Sequence, residues 1–190
     1  INKTILKRLS SLKQKCINPV VDITNYLMLE QGQPLHAFDA ELLDNIVGRS
    51  VIPNDFGIRN GKDGESFLAL DKNEYQLNSN IKVITCDDIP IAIAGVIGGN
   101  NSSVSHKTTR VWLEAAVFTP SSIRNSCREI GLRTEASSRY EKGISSNMTI
   151  AIAKRAGELI SLELGGNIKS NYVNKEFKTQ ITNINLRKNK

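Results

Sequence analysis

Four stretches of this sequence hold side chains able to do chemistry. His36 sits in GQPLHAFD, an apolar, strand-like setting, while the second histidine, His106, lies in the polar run NNSSVSHKTT. Pro34 fixes its own backbone and restrains Gln33 before it. His36 is therefore either a satisfied structural residue or a rigidly held donor or acceptor. Glu114 sits in RVWLEAAVF, among Val111, Trp112, Leu113, Ala115, Ala116, Val117 and Phe118. On a buried strand a carboxylate is costly unless strongly hydrogen-bonded. Glu114 thus either faces water on an edge strand or exists to grip a polar group. The run IAGVIGG ends in Gly98 and Gly99, which make either a tight turn or a close approach of backbone N–H groups to a ligand. It is not a phosphate-binding P-loop, because no Gly-Lys-Ser/Thr follows. Finally, GLRTEASSRYEKG, residues 131–143, gathers two Gly, two adjacent Ser, a Thr and five charges. Its plain reading is a solvated helix start capped by Thr134, with Arg133, Arg139 and Lys142 in water.

Other chemistries find less support. Cys16, Cys86 and Cys127 are far apart and odd in number, and with only two His no metal-ligand spacing arises. Zinc is not expected, and reduced thiols in a cytoplasmic protein are. No Ser-His-Asp order stands out, since serines are many and histidines few.

The surrounding patterns predict the elements that hold these residues. Ile5, Leu6, Leu9 and Leu12 fall at helical spacing over 4–13. Asn18 as cap, Pro19 at the first helical position and Gly32 at the stop predict a helix over 18–31, with Val20, Ile23, Thr24 and Leu27 on one stripe. After Gly32 the texture turns to β: PLHAF, NIVGRSVI, ESFLAL, NEYQL, IKVIT, PIAIAGVIG and RVWLEAAVF are short apolar runs between turn formers such as NDFG, GKDG and Asp87-Asp88. ALDKNEYQL reads as a hairpin. A helix follows TPSS, with Pro120 near its start and Gly131 past its end. A last helix spans Ser145 to Leu164, its apolar side Ile150, Ala153, Ala156, Leu159, Ile160 and Leu164, stopped by Gly165-Gly166. NIKSNYV reads as a strand, followed by a basic tail. Helices segregated from a run of strands predict an α+β fold with mixed or antiparallel sheets and flanking helices, as two fused subdomains in one compact module.

The totals set bounds. With 190 residues and a 39% hydrophobic fraction the chain is globular rather than disordered. No apolar run approaches the ~18 residues of a membrane span, and no signal peptide is visible. The lack of an initiator Met and the abrupt end at LRKNK suggest a piece of a longer protein. The net charge of +6 is uneven: residues 1–15 carry five Lys/Arg and no acid, 16–99 hold five basic and twelve acidic groups, and 100–155 hold nine basic and four acidic. If the chain meets RNA or another polyanion, 107–155 is the candidate face.

Taken together, NPVVDITNYLMLEQGQPLHAFD, IAIAGVIGG, VWLEAAVFTPSSIR and GLRTEASSRYEKG resemble the beta subunit of bacterial phenylalanyl-tRNA synthetase, specifically its third and fourth domains, which form an editing module. The similarity runs over about residues 2–170, and residues 171–190 look like a linker and the truncated start of the next domain. The resemblance implies hydrolysis of the ester in mischarged tyrosyl-tRNA(Phe). It places His36, Asn25, Thr134 and Gly98 in the catalytic part of the site. It assigns Glu114, Ala136, Pro34, Thr24 and Gly99 to substrate binding, with Glu114 gripping the tyrosine hydroxyl. Glu135 departs from the family, which often has Asp there. The family's synthetic active site lies in the alpha subunit, so ATP and magnesium are expected elsewhere and no cofactor in this chain. The implied partners are the tRNA(Phe) acceptor end carrying tyrosine and the alpha subunit, in the cytoplasm and away from membranes. Two other readings stay open at this point: a non-catalytic RNA-binding or assembly module, and a standalone hydrolase of small esters or amides.

Overall fold

The computed structural model describes residues 1–169. Its first helix, α1 (Lys3–Ser11), buries Ile5 and Leu9. Leu12 falls outside it, 57% exposed, so the apolar stripe is shorter than its sequence spacing predicts. α2 (Pro19–Gln31) starts and stops as its caps require: the Asn18 side chain accepts from the Val21 N–H at 3.0 Å, and Gly32 closes the helix at φ 76°. Strand β1 (Leu35–Asp39) leads straight into α3 (Ala40–Val47). This helix corrects the β reading of NIVGRSVI. Asp39 caps it through the N–H groups of Glu41 and Leu42, and Gly48 ends it at φ 77°, so capping outweighs the β-branched Ile46 and Val47.

The middle of the chain is antiparallel throughout. β2 (Phe56–Asn60), β5 (Lys82–Cys86), β6 (Ile89–Ile93) and β7 (Ile97–Gly98) form a four-stranded sheet in the order β2-β5-β6-β7. β3 (Ser66–Leu68) and β4 (Glu74–Gln76) make the expected hairpin, with Phe67 opposite Tyr75. Asp87 and Asp88, at φ 48° and 65°, turn β5 into β6, the two-residue left-handed turn that suits sheet twist. PIAIAGVIG is two strands rather than one, because Gly95 at φ 67° turns the chain between them.

β8 (Val111–Ala115) pairs with β1 alone, as a separate two-stranded ribbon. α4 (Pro120–Ile130), α5 (Glu135–Tyr140) and α6 (Ser146–Leu164) follow, with Gly131 and Gly165 at φ 67° and 73° as the expected stops. The buried side of α6 is Thr149, Ile152 and Ala156, and Ile150, expected inside, is 45% exposed. Residues 167–169 form no strand, and the remainder of NIKSNYV with the basic tail lies outside the described residues. The result is α+β with helices flanking antiparallel sheets.

Two apolar cores result. One gathers Phe38, Leu43, Phe67, Val83, Ile91, Ile93, Ile123 and Tyr140 around the four-stranded sheet. The other joins Ile5, Leu9, Ile23, Tyr26, Leu27 and Ala156 from α1, α2 and α6. The β1–β8 ribbon stands between them. Side chains alternate across a strand, and paired residues share a face. Leu35 and Leu113 therefore look into the helical core, while Phe38 and Trp112 look toward the sheet core.

Candidate functional site

His36 and Glu114 are direct partners across the ribbon. They share the face that carries Phe38 and Trp112, so both point toward the sheet core. Each is half-buried, with part of its surface still accessible. Burial holds the His36 imidazole down to about 4, and it lifts the Glu114 carboxyl to about 7. Neither side chain forms a hydrogen bond with a described residue. The His36 ring instead packs edge-on against Phe38, centroids 4.6 Å apart.

Gly98 forms the wall opposite. A Cβ built there would lie 2.5 Å from His36 Cε1 and 2.6 Å from Nε2, so glycine is what lets the ring reach the β7 backbone. The carbonyl of Gly98 accepts from the Leu70 N–H at 3.0 Å, and the Gly99 N–H donates to the Ile91 carbonyl at 2.8 Å. At Gly98 the close approach is to the His36 side chain; at Gly99 it is to Asn101 and to the Ile91 backbone. A Cβ on Gly99 would meet Asn101 Oδ1 at 2.4 Å.

The stretch 131–143 adds the next wall. Thr134 caps α5, accepting from the Ser137 N–H at 3.1 Å, and its hydroxyl donates to the Val96 carbonyl at 2.9 Å. This second bond ties the start of α5 to the turn that precedes Gly98. Ala136 is half-buried against the sheet core. Tyr140 runs inward: its hydroxyl donates to the Pro34 carbonyl at 3.2 Å, its ring packs on Phe118, and the Glu114 charge helps hold its phenol well above the usual range, after burial itself. The charges of the stretch are mostly outside, with the Glu141 side chain tucked in. Arg133 pairs with Glu141, and Arg139 with Glu135 at 2.6 Å. Arg110 and Arg155 are also ion-paired, with Asp44 and Glu30, so the basic excess over 107–155 is partly neutralised in place.

Thr24 and Asn25 ride on α2, which packs on β1 from the helical-core side. The Thr24 hydroxyl bonds back to the Val21 carbonyl at 2.8 Å. Asn25 is half-buried, and its side chain forms no hydrogen bond with a described residue. The contacts thus bring together His36, Glu114 and Gly98; Thr134 is tied to Val96 near Gly98, Gly99 follows Gly98, Pro34 precedes β1, Ala136 lies against the sheet core, and Thr24 and Asn25 ride on α2.

Sequence reasoning left two residues without a role. Gln33 is 1% exposed and bonded to Pro34, Ala116 and Thr149. Tyr140 is 3% exposed. A polar residue wedged between a helix-ending glycine and a proline, and one aromatic in a polar stretch, were the available signals.

Among the described residues no group of three or more His, Cys, Asp or Glu is placed to hold a metal ion, and no helix is long and apolar enough to cross a membrane. An open hollow of about 320 Å³ lies away from this site, between Asp55, Arg59, Thr85 and Asp88.

Residues 2–165 match the family model described as the B3/4 domain. The chain belongs to the B3/4 domain family. Its B3/4 domain is similar over its whole length to a phenylalanine--tRNA ligase beta subunit of Prochlorococcus marinus (strain NATL2A), 77% identical over 189 residues, 100% of this chain and 23% of that one. A second beta subunit, from Prochlorococcus marinus (strain MIT 9313), is 54% identical over 165 residues, 87% of this chain and 20% of its own. One from Synechococcus sp. (strain CC9902) is 47% identical over 90% of this chain and 21% of its own. The chain therefore spans less than a quarter of the length of the curated relatives it matches. The whole-length alignment takes in the segments that carry His36, Gly98 and Glu114.

Proposed function

We propose that this B3/4 domain is the editing part of a phenylalanine--tRNA ligase beta subunit and hydrolyses the ester of tyrosyl-tRNA(Phe). The observation that carries the reading is the His36–Glu114 pair: two ionisable groups side by side, neither hydrogen-bonded to a described residue, with burial pressing both toward their neutral forms. A structural pair would bond to each other or to the backbone. A half-buried pair left without such bonds is available to a ligand.

Glu114 supplies specificity. Tyrosine exceeds phenylalanine by one hydroxyl, and an apolar pocket separates such pairs by only about 10²-fold. A desolvated carboxyl accepts a charge-assisted hydrogen bond from the phenol. With phenylalanine bound the same carboxyl meets a ring edge and remains unpaired, a penalty of roughly 1–3 kcal/mol or more. Ala136 leaves room for the ring, and Pro34 stiffens the approach to His36.

Hydrolysis of an aminoacyl ester needs a positioned water and oxyanion stabilisation more than a strong base. With its titration near 4, His36 is neutral at pH 7 and a weak proton acceptor. Its role in this reading is to orient the water, the ester or the terminal ribose. The tRNA acceptor end enters from the side of α5, and the alpha subunit carries the synthetic site with its ATP and magnesium, in the cytoplasm.

The test is deacylation of tyrosyl-tRNA(Phe) and phenylalanyl-tRNA(Phe) by the full chain. Faster turnover of the tyrosyl ester supports the proposal. Equal turnover, or RNA binding with no hydrolysis of either, removes it in favour of a non-catalytic module.

A further inference from the structure

The Gln33 side chain makes three hydrogen bonds at once. Its amide nitrogen donates to the Pro34 carbonyl at 3.0 Å and to the Ala116 carbonyl at 2.9 Å, and its amide oxygen accepts from the Thr149 hydroxyl at 3.0 Å. Pro34 stands immediately before β1, and Ala116 immediately after β8. The first ladder pair is Leu35 with Ala115, and the second is His36 with Glu114. One amide group therefore extends the ladder past its end, directly beside the functional pair. The Tyr140 hydroxyl reaches the same Pro34 carbonyl from α5, and Thr149 ties the amide to α6. No buried polar side-chain atom among the described residues lacks a partner, so the network is complete.

The ribbon needs such a fastening. It has only two strands, and isolated two-stranded ribbons are marginal. A slip of one residue would turn every side chain to the opposite face, carrying His36 or Glu114 from the sheet-core face to the helical-core face. Neither side chain is bonded to anything that would hold it in register. We infer that Gln33 is a positioning residue for the editing site, acting with Thr149 and Tyr140 to lock the register that sets His36 opposite Glu114. The inference rests on the proposed reading of that pair as the site.

Gln33→Met keeps the approximate volume and removes all three bonds. Thr149→Val removes the bond to the amide oxygen and leaves the two bonds of the amide nitrogen, at the cost also of the hydroxyl's 3.3 Å bond to the Ser145 carbonyl within its own helix. The measurements on the full chain are thermal melting, the titration midpoints of His36 and Glu114 by NMR, and kcat and KM for tyrosyl-tRNA(Phe) deacylation. Gln33→Met should move both midpoints toward the ordinary histidine and carboxylate values and lower kcat by about 10²-fold, the usual result of a misplacement near 1 Å. Thr149→Val should shift both in the same direction by less. A variant that folds, melts lower and keeps both midpoints and kcat overturns the inference and leaves Gln33 as a core residue. If Gln33→Met does not fold, unchanged midpoints in Thr149→Val overturn it equally. A parent chain without deacylase activity would count against the editing reading, while the NMR midpoints still decide the role of Gln33.

Discussion

An alanine at position 98 would put a methyl where the His36 ring now lies. The added Cβ would stand 2.5 Å from Cε1, 2.6 Å from Nε2 and 3.0 Å from Leu70 Cδ1. Carbon atoms in contact prefer ~3.5–4.0 Å, so the ring must retreat by roughly 1 Å. Phe38 stands on its other side, at a centroid distance of 4.6 Å, and resists. Gly98 is not among the residues with positive φ, so backbone strain contributes nothing and the whole effect is steric. Overpacking of this kind costs ~1–3 kcal/mol, or about 2–4 °C in Tm per kcal/mol in a domain of this size. A displacement near 1 Å at a positioned group lowers turnover by about 10²-fold. The assay is a double-mutant cycle, with Gly98→Ala made in the parent and in His36→Ala, reading Tm and tyrosyl-tRNA deacylation. With the ring removed, the nearest atom to the methyl becomes the flexible end of Leu70 at 3.0 Å, and most of the stability loss should vanish, a coupling of about 0.5–3 kcal/mol. An equal loss on both backgrounds would refute the reasoning, as would a Gly98→Ala protein with parental Tm and activity.

Glu114→Gln should lower kcat/KM for tyrosyl-tRNA and lower the Tyr/Phe ratio further, since the amide bonds the phenol without charge assistance and tolerates phenylalanine better; comparing kcat/KM for both substrates checks this. In the parent that ratio should rise as pH passes through about 7, where Glu114 ionises, and be flat in Glu114→Gln. Ala136→Leu should retain the fold and lose tyrosyl-tRNA deacylation, because three added carbons fill the space assigned to the ring; normal turnover by a folded variant would count against that placement. Stability should show a hidden pH dependence. Folding lifts Glu114 from 4.5 to about 7, so its contribution is present below 4.5 and lost as pH rises to 7. Folding lowers His36 from 6.5 to about 4, so its contribution is present above 6.5 and lost as pH falls to 4. Between pH 4.5 and 6.5 the two nearly cancel. Denaturant melts of Glu114→Gln should therefore lose stability on acidification, and those of His36→Gln on alkalinisation, each on the order of 3 kcal/mol at most.

Helix α2 and the hairpins were legible because their determinants are local: Asn18, Pro19 and Gly32 cap one, and Asp87-Asp88 turns another. Helix α3 carries signals as local, Asp39 and Gly48, but its Ile46 and Val47 imitate a strand. The candidate site was legible in residue types, since a carboxylate in RVWLEAAVF has few dull explanations. Its geometry was not. The fit of Gly98 to His36 depends on a ring brought from 62 positions earlier, and the Gln33 bonds join partners 83 and 116 residues away. No periodicity encodes such contacts. The α6 stripe misled for a similar reason: which side of a helix is buried depends on where its neighbours lie, and Thr149 is inside because Gln33 needs its hydroxyl.

The pairing of β1 with β8 also fixes an order of events. The chain between residues 40 and 110 separates the two strands, and closing so long a loop costs on the order of 4 kcal/mol in entropy before any contact is gained. The ribbon is thus a late structure unless the intervening sheet folds first and brings its ends together. During synthesis His36 leaves the ribosome long before Glu114, and for that interval it has no partner strand. Catalytic competence would then appear abruptly, with the closing of the ribbon, and deacylase activity during refolding should lag the far-UV signal of the helices.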